Sequence, residues 1–101
     1  MIIIHDIFHA KFGKAAEVRE LFKEGIALSK RLGSPALSVR LLTDLVGQPY
    51  YTFVMESTWE SLAQWEQAGL AMRGNAEWKA WYQKFAAWID SGERNMYSVV
   101  A

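Results

Sequence analysis

The order of strand-like and helix-like segments limits the fold of this chain more than any other feature of its sequence. Four segments have the β-branched and aromatic residues, or the alternation of apolar and polar residues, that favour strands. They are Ile2–Ala10, residues 37–43, residues 50–57 and residues 96–100. The second and third follow each other across a short turn that contains Gly47, so they are expected to form a hairpin.

A helical pattern fills the sequence between the first two strands. Apolar residues such as Val18, Phe22 and Ile26 recur every three or four positions, and charged residues take the opposite side. Gly33 can adopt the left-handed backbone conformation that ends a helix, and Pro35 prevents the helix from continuing. The chain therefore begins with a strand, a helix and a second strand.

Two helical stretches follow the hairpin. Ser57-Thr58-Trp59-Glu60 has the form of a capping box, so it predicts the start of a helix that is broken around residues 69–74. Asn75 is a good N-cap for the next helix, which is predicted to end at Ser91-Gly92. That helix has a largely aromatic stripe made of Trp78, Trp81, Tyr82, Phe85, Trp88 and Ile89. Together the elements predict one α+β domain over residues 1–101, a ferredoxin-like βαββαβ sandwich.

The side chains of each strand divide between two faces of the predicted sheet. The more apolar set, which includes Val39, Phe53 and Met55, is expected to face the helices. The other set contains Arg40 and Thr52 but is too apolar for an open surface. Helices on one side would leave this second face bare, so a homodimer is expected in which two sheets pack face to face into a barrel.

Composition and charge exclude several classes of partner. The 11 Lys and Arg residues balance the 11 Asp and Glu residues without forming a basic stripe, which disfavours nucleic acid and anionic membranes as partners. The absence of cysteine excludes disulfides and thiolate metal sites. The apolar start reaches His5 and Asp6 too soon for a signal peptide or a membrane span, and a cytoplasmic location is expected.

The strand order, the loop at Gly13 and the run Glu56-Ser57-Thr58-Trp59-Glu60-Ser61-Leu62 resemble the dimeric α/β barrel superfamily. Within it, the segment Asn75-Ala76-Glu77-Trp78 is similar to NIPSNAP-type domains. The resemblance implies a dimeric α/β barrel over essentially the whole chain. It does not imply one reaction, because the superfamily includes cofactor-independent and haem-degrading monooxygenases, isomerases and proteins of no known activity.

The haem-degrading members can be compared with this chain residue by residue. They resemble it at Trp65, but they need a histidine on the last helix as an iron ligand, and residues 78–89 contain none. Haem is therefore not expected. No other cofactor or metal ion is expected either, because the sequence has no cysteine and no cluster of metal-ligating residues.

Two residues of the first strand are candidate catalytic groups. The resemblance, aligned at Gly13, implies that His5 faces the barrel lumen together with His9, and imidazole suits acid–base work or metal binding. The two histidines would be roughly 13 Å apart along the strand, too far to share one metal ion, and polar contacts at the dimer interface are the other interpretation. The same alignment implies that Asp6 lies on the helix side, where it could accept a proton, form an ion pair or contact a helix end.

Four further residues are candidate ligand-binding groups. Arg40 could hold an anionic oxygen of a ligand, or it could pair with a nearby carboxylate, either Asp44 or Glu56. The other three are aromatic residues that could line a pocket for a small apolar or aromatic molecule: Tyr51, Trp65 and Trp78.

Two functional hypotheses stay open on the sequence. The first is a NIPSNAP-like protein that binds a small molecule without catalysis. The second is a cofactor-independent monooxygenase or isomerase acting on a small cyclic or quinol-like substrate. No phosphate-binding loop, nucleophile elbow or catalytic triad decides between them. A cavity that holds His5, Asp6 or Arg40 beside an apolar volume would favour an enzyme.

Overall fold

The computed structural model describes all 101 residues and contains four strands and three helices. In chain order they are β1 (Ile2–Ala10), α1 (Ala15–Arg31), β2 (Ser38–Thr43), β3 (Thr52–Trp59), α2 (Leu62–Arg73), α3 (Ala76–Ala86) and β4 (Ile89–Ser98). The strands form one antiparallel sheet in the order β2-β3-β1-β4, so the predicted βαββαβ arrangement with a broken second helix is confirmed. None of the three helices is both long enough and apolar enough to cross a membrane.

Strand β1 is an inner strand, which places its residues at the centre of the fold. It pairs with β3 on one side and with β4 on the other. Directly paired residues of antiparallel strands point to the same face of a sheet. Asp6 is paired with both Met55 and Arg94, so these three side chains share one face.

The core lies between the sheet and helices α1 and α3. Its largest fully buried side chains are Phe22, Phe53, Phe85, Ile4 and Val18. The ring centroid of Phe22 is 4.8 Å from that of Phe85 and 5.6 Å from that of Phe53. Helices α1 and α3 and strand β3 therefore meet in one aromatic cluster, and burial of these rings holds the helix layer on the sheet.

Helix α1 ends where the sequence predicts. The Gly33 N–H donates to the Lys30 carbonyl and the Ser34 N–H donates to the Ser29 carbonyl, both at 3.0 Å. This is a Schellman motif, and Gly33 adopts the left-handed conformation that it requires, with φ of +88°.

The start of α2 differs from the prediction. Ser57 is not an N-cap but a buried residue of β3, which continues to Trp59. Ser61 caps α2 by accepting from the Gln64 N–H at 3.1 Å, and the Gln64 side chain accepts from the Glu60 N–H at 3.2 Å. The longer strand is favoured because it buries the Trp59 side chain, which is only 7% exposed.

The last helix and the last strand also differ from the prediction. Helix α3 ends at Ala86 rather than at Ser91-Gly92, and the strand starts at Ile89 rather than at residue 96. This longer β4 pairs with the whole length of β1 and so satisfies its backbone groups. Gly92 lies inside β4, where a Cβ atom would meet the ring of Phe8 at 3.1 Å.

The predicted division of the sheet into two faces is confirmed. Asp6 and Phe53 face the helices, whereas His5 and His9 lie on the opposite face with Glu56 and Thr52. The molecule is only 18 Å thick along its shortest axis, because one sheet and one layer of helices make up the whole structure. Only 13 of the 101 residues are buried, so much apolar surface stays accessible.

Candidate functional site

A cleft of about 1180 Å³ lies between the helix-facing side of the sheet and helices α2 and α3. Helix α2 has no buried residue, so it forms the outer wall of the cleft rather than part of the core. Most of the lining is apolar, and its larger side chains include Phe8, Met55, Trp59, Trp65, Trp78 and Trp81. A largely apolar cleft with a few placed polar groups is typical of sites for small molecules.

An ion pair forms the polar part of the cleft floor. Arg94 Nε donates to Asp6 Oδ1 at 2.5 Å, and the two residues are directly paired across β1 and β4. The Asp6 side chain is 8% exposed and that of Arg94 is 49% exposed. The Arg94 guanidinium also lies over the Trp65 ring, 4.9 Å from its centroid. Arg94 therefore links the floor of the cleft to its α2 wall.

Several polar atoms of the floor keep free hydrogen-bonding capacity. The two terminal nitrogens of Arg94 make no hydrogen bond within the protein, and neither does Asp6 Oδ2, which is not fully buried. Ser57 Oγ accepts from Trp59 Nε1 at 2.9 Å, so its own O–H is left to donate. The floor can thus offer both donors and an acceptor to a ligand.

Helix α3 forms another wall of the cleft, and it contains a tryptophan whose position is fixed by a hydrogen bond. Trp81 is buried, and its Nε1 donates to the Leu21 carbonyl at 2.8 Å. Trp78, in the first turn of α3, is half-buried, and its ring centroid is 4.6 Å from that of Trp81. Asn75 caps this turn by accepting from the Trp78 N–H at 2.9 Å. Trp78 therefore presents an anchored aromatic surface to the cleft.

A second polar cluster lies on the opposite face of the sheet. His5 Nε2 donates to Glu56 Oε2 at 2.8 Å, and Arg40 Nε donates to Glu56 Oε1 at 2.8 Å. The His5 ring also meets the Tyr97 ring edge to face at 5.5 Å. Of the two partners that the sequence allowed for Arg40, the structure selects Glu56, while Asp44 accepts from the Thr52 N–H instead.

The histidines of β1 are engaged separately. His9 Nδ1 lies 3.2 Å from Thr52 Oγ1, and His9 Nε2 lies 3.9 Å from Glu93 Oε1. No group of three histidine, cysteine, aspartate or glutamate residues is placed to hold a metal ion.

Hydrogen bonding lowers the pKa of Glu56 below its ordinary value of 4.5. The bond from His5 is the largest cause and the bond from Arg40 is the second, while burial opposes them. The folded protein therefore binds a proton at Glu56 less readily than the unfolded chain does. The resulting stabilisation is complete above the unfolded value and is lost as the pH falls through the lowered pKa of the folded state.

The substitution Glu56→Gln is expected to make unfolding less sensitive to acid. The difference in unfolding free energy between wild type and variant should be largest above the ordinary pKa of 4.5 and should shrink as the pH falls below it. Urea titrations across this range would measure it. Glu66→Gln, which removes the same charge from the exposed side of α2, is the control and should keep the wild-type pH dependence. If the unfolding free energies of wild type and Glu56→Gln changed with pH in parallel, the lowered pKa of Glu56 would be contradicted.

The structure separates the predicted site residues into two groups on opposite faces of the sheet. Asp6, Trp65 and Trp78 come together in the cleft. His5 and Arg40 lie on the other face and meet through Glu56, so they do not share a pocket with Asp6.

Tyr51 lies outside both groups. It belongs to the loop before β3 rather than to the strand, and its ring packs against Phe12 at 5.2 Å. Its positive φ of 62° shows that it does not continue the extended backbone of β3. Its side chain packs against the hydrophobic core but does not line the cleft.

Arg94 and Ser57 are the polar residues of the cleft floor that the sequence interpretation missed. Arg94 was left in a loop because the last strand was expected to begin at residue 96, and Ser57 was interpreted as a helix cap. A usable signal was present for Arg94. It precedes Met96 by two positions, so extension of the strand toward its N-terminus would have placed both residues on one face.

The whole subunit can be superimposed on solved structures of low sequence identity. A NIPSNAP domain protein from Burkholderia xenovorans matches with a TM-score of 0.87 at 14% identity, covering 100% of this chain and 96% of that chain. A NIPSNAP family protein from Agrobacterium tumefaciens matches with a TM-score of 0.85 at 19% identity, covering 98% and 92%. This is the dimeric α/β-barrel fold.

The same fold extends beyond the NIPSNAP domains. A candidate antibiotic biosynthesis monooxygenase from Nitrosomonas europaea matches with a TM-score of 0.76 at 14% identity, covering 100% of both chains. No protein-family model and no curated protein sequence matches this chain. The fold of the single chain, which the sequence predicted to be that of the dimeric α/β barrels, is thus confirmed, and the function must be argued from the cleft.

Proposed function

We propose that this NIPSNAP-like protein binds a small apolar or aromatic molecule in the cleft between the sheet and helices α2 and α3. The observation that carries the proposal is an apolar volume of about 1180 Å³ with a single ion pair, Asp6–Arg94, on its floor. Water in such a volume makes few hydrogen bonds, so its displacement by an apolar ligand is favourable. Trp65 and Trp78 supply flat surfaces for a ring to pack against.

The fluorescent probe N-phenyl-1-naphthylamine tests this proposal because it is neutral and its emission rises in apolar surroundings. Wild-type protein is expected to bind it, and Trp65→Ala should weaken binding about tenfold, the effect of losing one large apolar contact surface. Tyr50→Ala is the control, since this tyrosine is 81% exposed and lies outside the cleft. No rise in emission with wild type, or equal affinity of wild type and Trp65→Ala, would overturn the proposal.

A second candidate is catalysis in the same cleft, by a cofactor-independent monooxygenase or isomerase acting on a small cyclic or quinol-like substrate. Asp6 supports it, because this carboxylate is nearly buried beside an apolar volume and its Oδ2 is free to accept a proton. Similarity to a candidate antibiotic biosynthesis monooxygenase adds weight. Oxygen uptake with 1,4-dihydroxynaphthalene, above the protein-free rate and absent in Asp6→Asn, would favour catalysis. Probe binding without turnover would favour a binding protein.

We also propose that the chain forms a homodimer through the face of the sheet that no helix covers. Support comes from the composition of that face. Apolar side chains, including the exposed Leu42 and Tyr97, surround the Glu56 cluster, in which every charge already has a partner within the subunit. A charge that is already paired costs less to bury than a lone one. Two such faces could close on each other, which would remove the apolar surface from water.

A further inference from the structure

We infer that the ligand of the cleft is an aromatic anion, such as an aromatic carboxylate, whose charged group is received by the terminal nitrogens of Arg94. This inference rests on the proposed binding function and names the chemical class of its ligand.

Arg94 has N–H donors with no partner in the protein. A guanidinium has five N–H donors, and Arg94 uses only the one on Nε, toward Asp6 Oδ1. Its two terminal nitrogens have four N–H groups with no partner in the protein. The Arg94 side chain is 49% exposed and lines the cleft. Forked donors of this kind match the two oxygens of a carboxylate.

Arg94 is also held in place before any ligand arrives. Asp6 fixes Nε from the sheet, and the Trp65 ring supports the guanidinium plane at 4.9 Å from its centroid. A side chain fixed on two sides loses little freedom on binding, so its hydrogen bonds contribute more to affinity. Asp6 acts here as a positioning residue for the arginine.

The charges around the cleft favour an anion although the chain as a whole is neutral. Three cations line the cleft, namely Arg73, Lys79 and Arg94, and none of them except Arg94 has an acidic partner. Of the acidic residues, Asp6 is already engaged by Arg94 Nε, and Glu93 is close to His9 on the opposite face of the sheet. Asp90 is the one acidic lining residue without a basic partner. With the Asp6–Arg94 pair set aside and Glu93 turned toward His9, two cations of the lining, Arg73 and Lys79, face the one carboxylate of Asp90, so the unpaired charge at the walls of the cleft is positive.

The experiment compares 2-naphthoate with 2-naphthamide, a neutral molecule of nearly the same shape, by direct calorimetric titration. Wild type is expected to bind the carboxylate about tenfold more tightly, because charge-assisted hydrogen bonds are roughly twice as strong as neutral ones. Arg94→Lys should lose most of this preference, since lysine keeps the charge but cannot donate two parallel bonds. Arg19→Gln removes a positive charge from the exposed side of α1 and should keep the preference.

A second variant protects the test against loss of the fold. Arg94→Gln alone would leave Asp6 without its partner, so the double variant Asp6→Asn with Arg94→Gln is also made, and it should bind both molecules equally. Equal affinities in wild type, or a preference that survives in both Arg94 variants, would overturn the inference. If wild type binds N-phenyl-1-naphthylamine but shows no preference for naphthoate, the proposed function stands and this inference fails. If wild type binds neither N-phenyl-1-naphthylamine nor 2-naphthoate, the proposed function and this inference both fail.

Discussion

Replacement of Gly25 by alanine is expected to lower the free energy of unfolding by about 2 kcal/mol, within the range for overpacked cores. Gly25 is buried in α1 at the point where α3 crosses it. A Cβ atom there would lie 2.7 Å or less from three atoms of the Trp81 ring. The ring cannot move away freely, because its Nε1 donates to the Leu21 carbonyl and its face stacks on Phe85, with centroids 5.1 Å apart. The two helices would have to separate.

Gly69→Ala is the matched control for this prediction. Gly69 is also inside a helix, α2, but the nearest atom to an added Cβ would be the mobile end of the Arg73 side chain at 3.4 Å. Removal of a helical glycine should then stabilise the protein by roughly 0.5–1 kcal/mol. Chemical denaturation of both variants measures the two effects, which should have opposite signs. A Gly25→Ala variant as stable as wild type would show that α3 does not pack on α1 in this way.

Val54→Lys is expected to abolish the proposed homodimer while leaving the subunit folded. Val54 lies on the uncovered face of the sheet, directly paired with Ile7 and Leu42. In the dimer a lysine here would be buried without a partner, and an unpaired buried charge costs several kcal/mol. The dissociation constant should therefore rise by about 100-fold or more. In a monomer the same side chain could extend into water.

Sedimentation velocity at micromolar concentration would measure this effect, and circular dichroism would report whether the subunit is folded. Ala16→Lys adds the same charge to the exposed side of α1 and should leave the dimer intact. A wild-type protein that sediments as a monomer would contradict the dimer itself. An unchanged dimer in Val54→Lys would show that the subunits associate through another surface.

The elements of the fold could be predicted wherever the signal is local. The end of α1 depends on Gly33 and on bonds spanning a few residues, so the sequence located it. The strands that flank α2 and α3 were misjudged at their ends. Trp59 was assigned to a capping box and Ile89 to a helical stripe, and only pairing with β1 makes the strand the better solution for both. Helix and strand signals overlap for such short apolar segments.

The candidate site could be predicted only in part, because only some of its features depend on local sequence. Alternation along β1 correctly separated Asp6 from His5 and His9, because it depends on neighbouring residues alone. Trp65 and Trp78 were placed in the cleft through their position beside the helix break. Tyr51 was assigned to the third strand, whereas it lies in the hairpin loop with a positive φ, and from there it packs against the core without lining the cleft.

The sequence by itself determined the order of strands and helices, the two faces of the sheet and the neutral, cysteine-free character of the chain, because these depend on composition and on short-range periodicity. Only the tertiary structure decided which groups meet in the cleft. Asp6 and Arg94 are 88 residues apart in the chain and touch because β4 pairs with β1 in one register. That register follows from the simultaneous burial of the aromatic cluster and the pairing of the whole of β1, and no local segment of the chain contains this information.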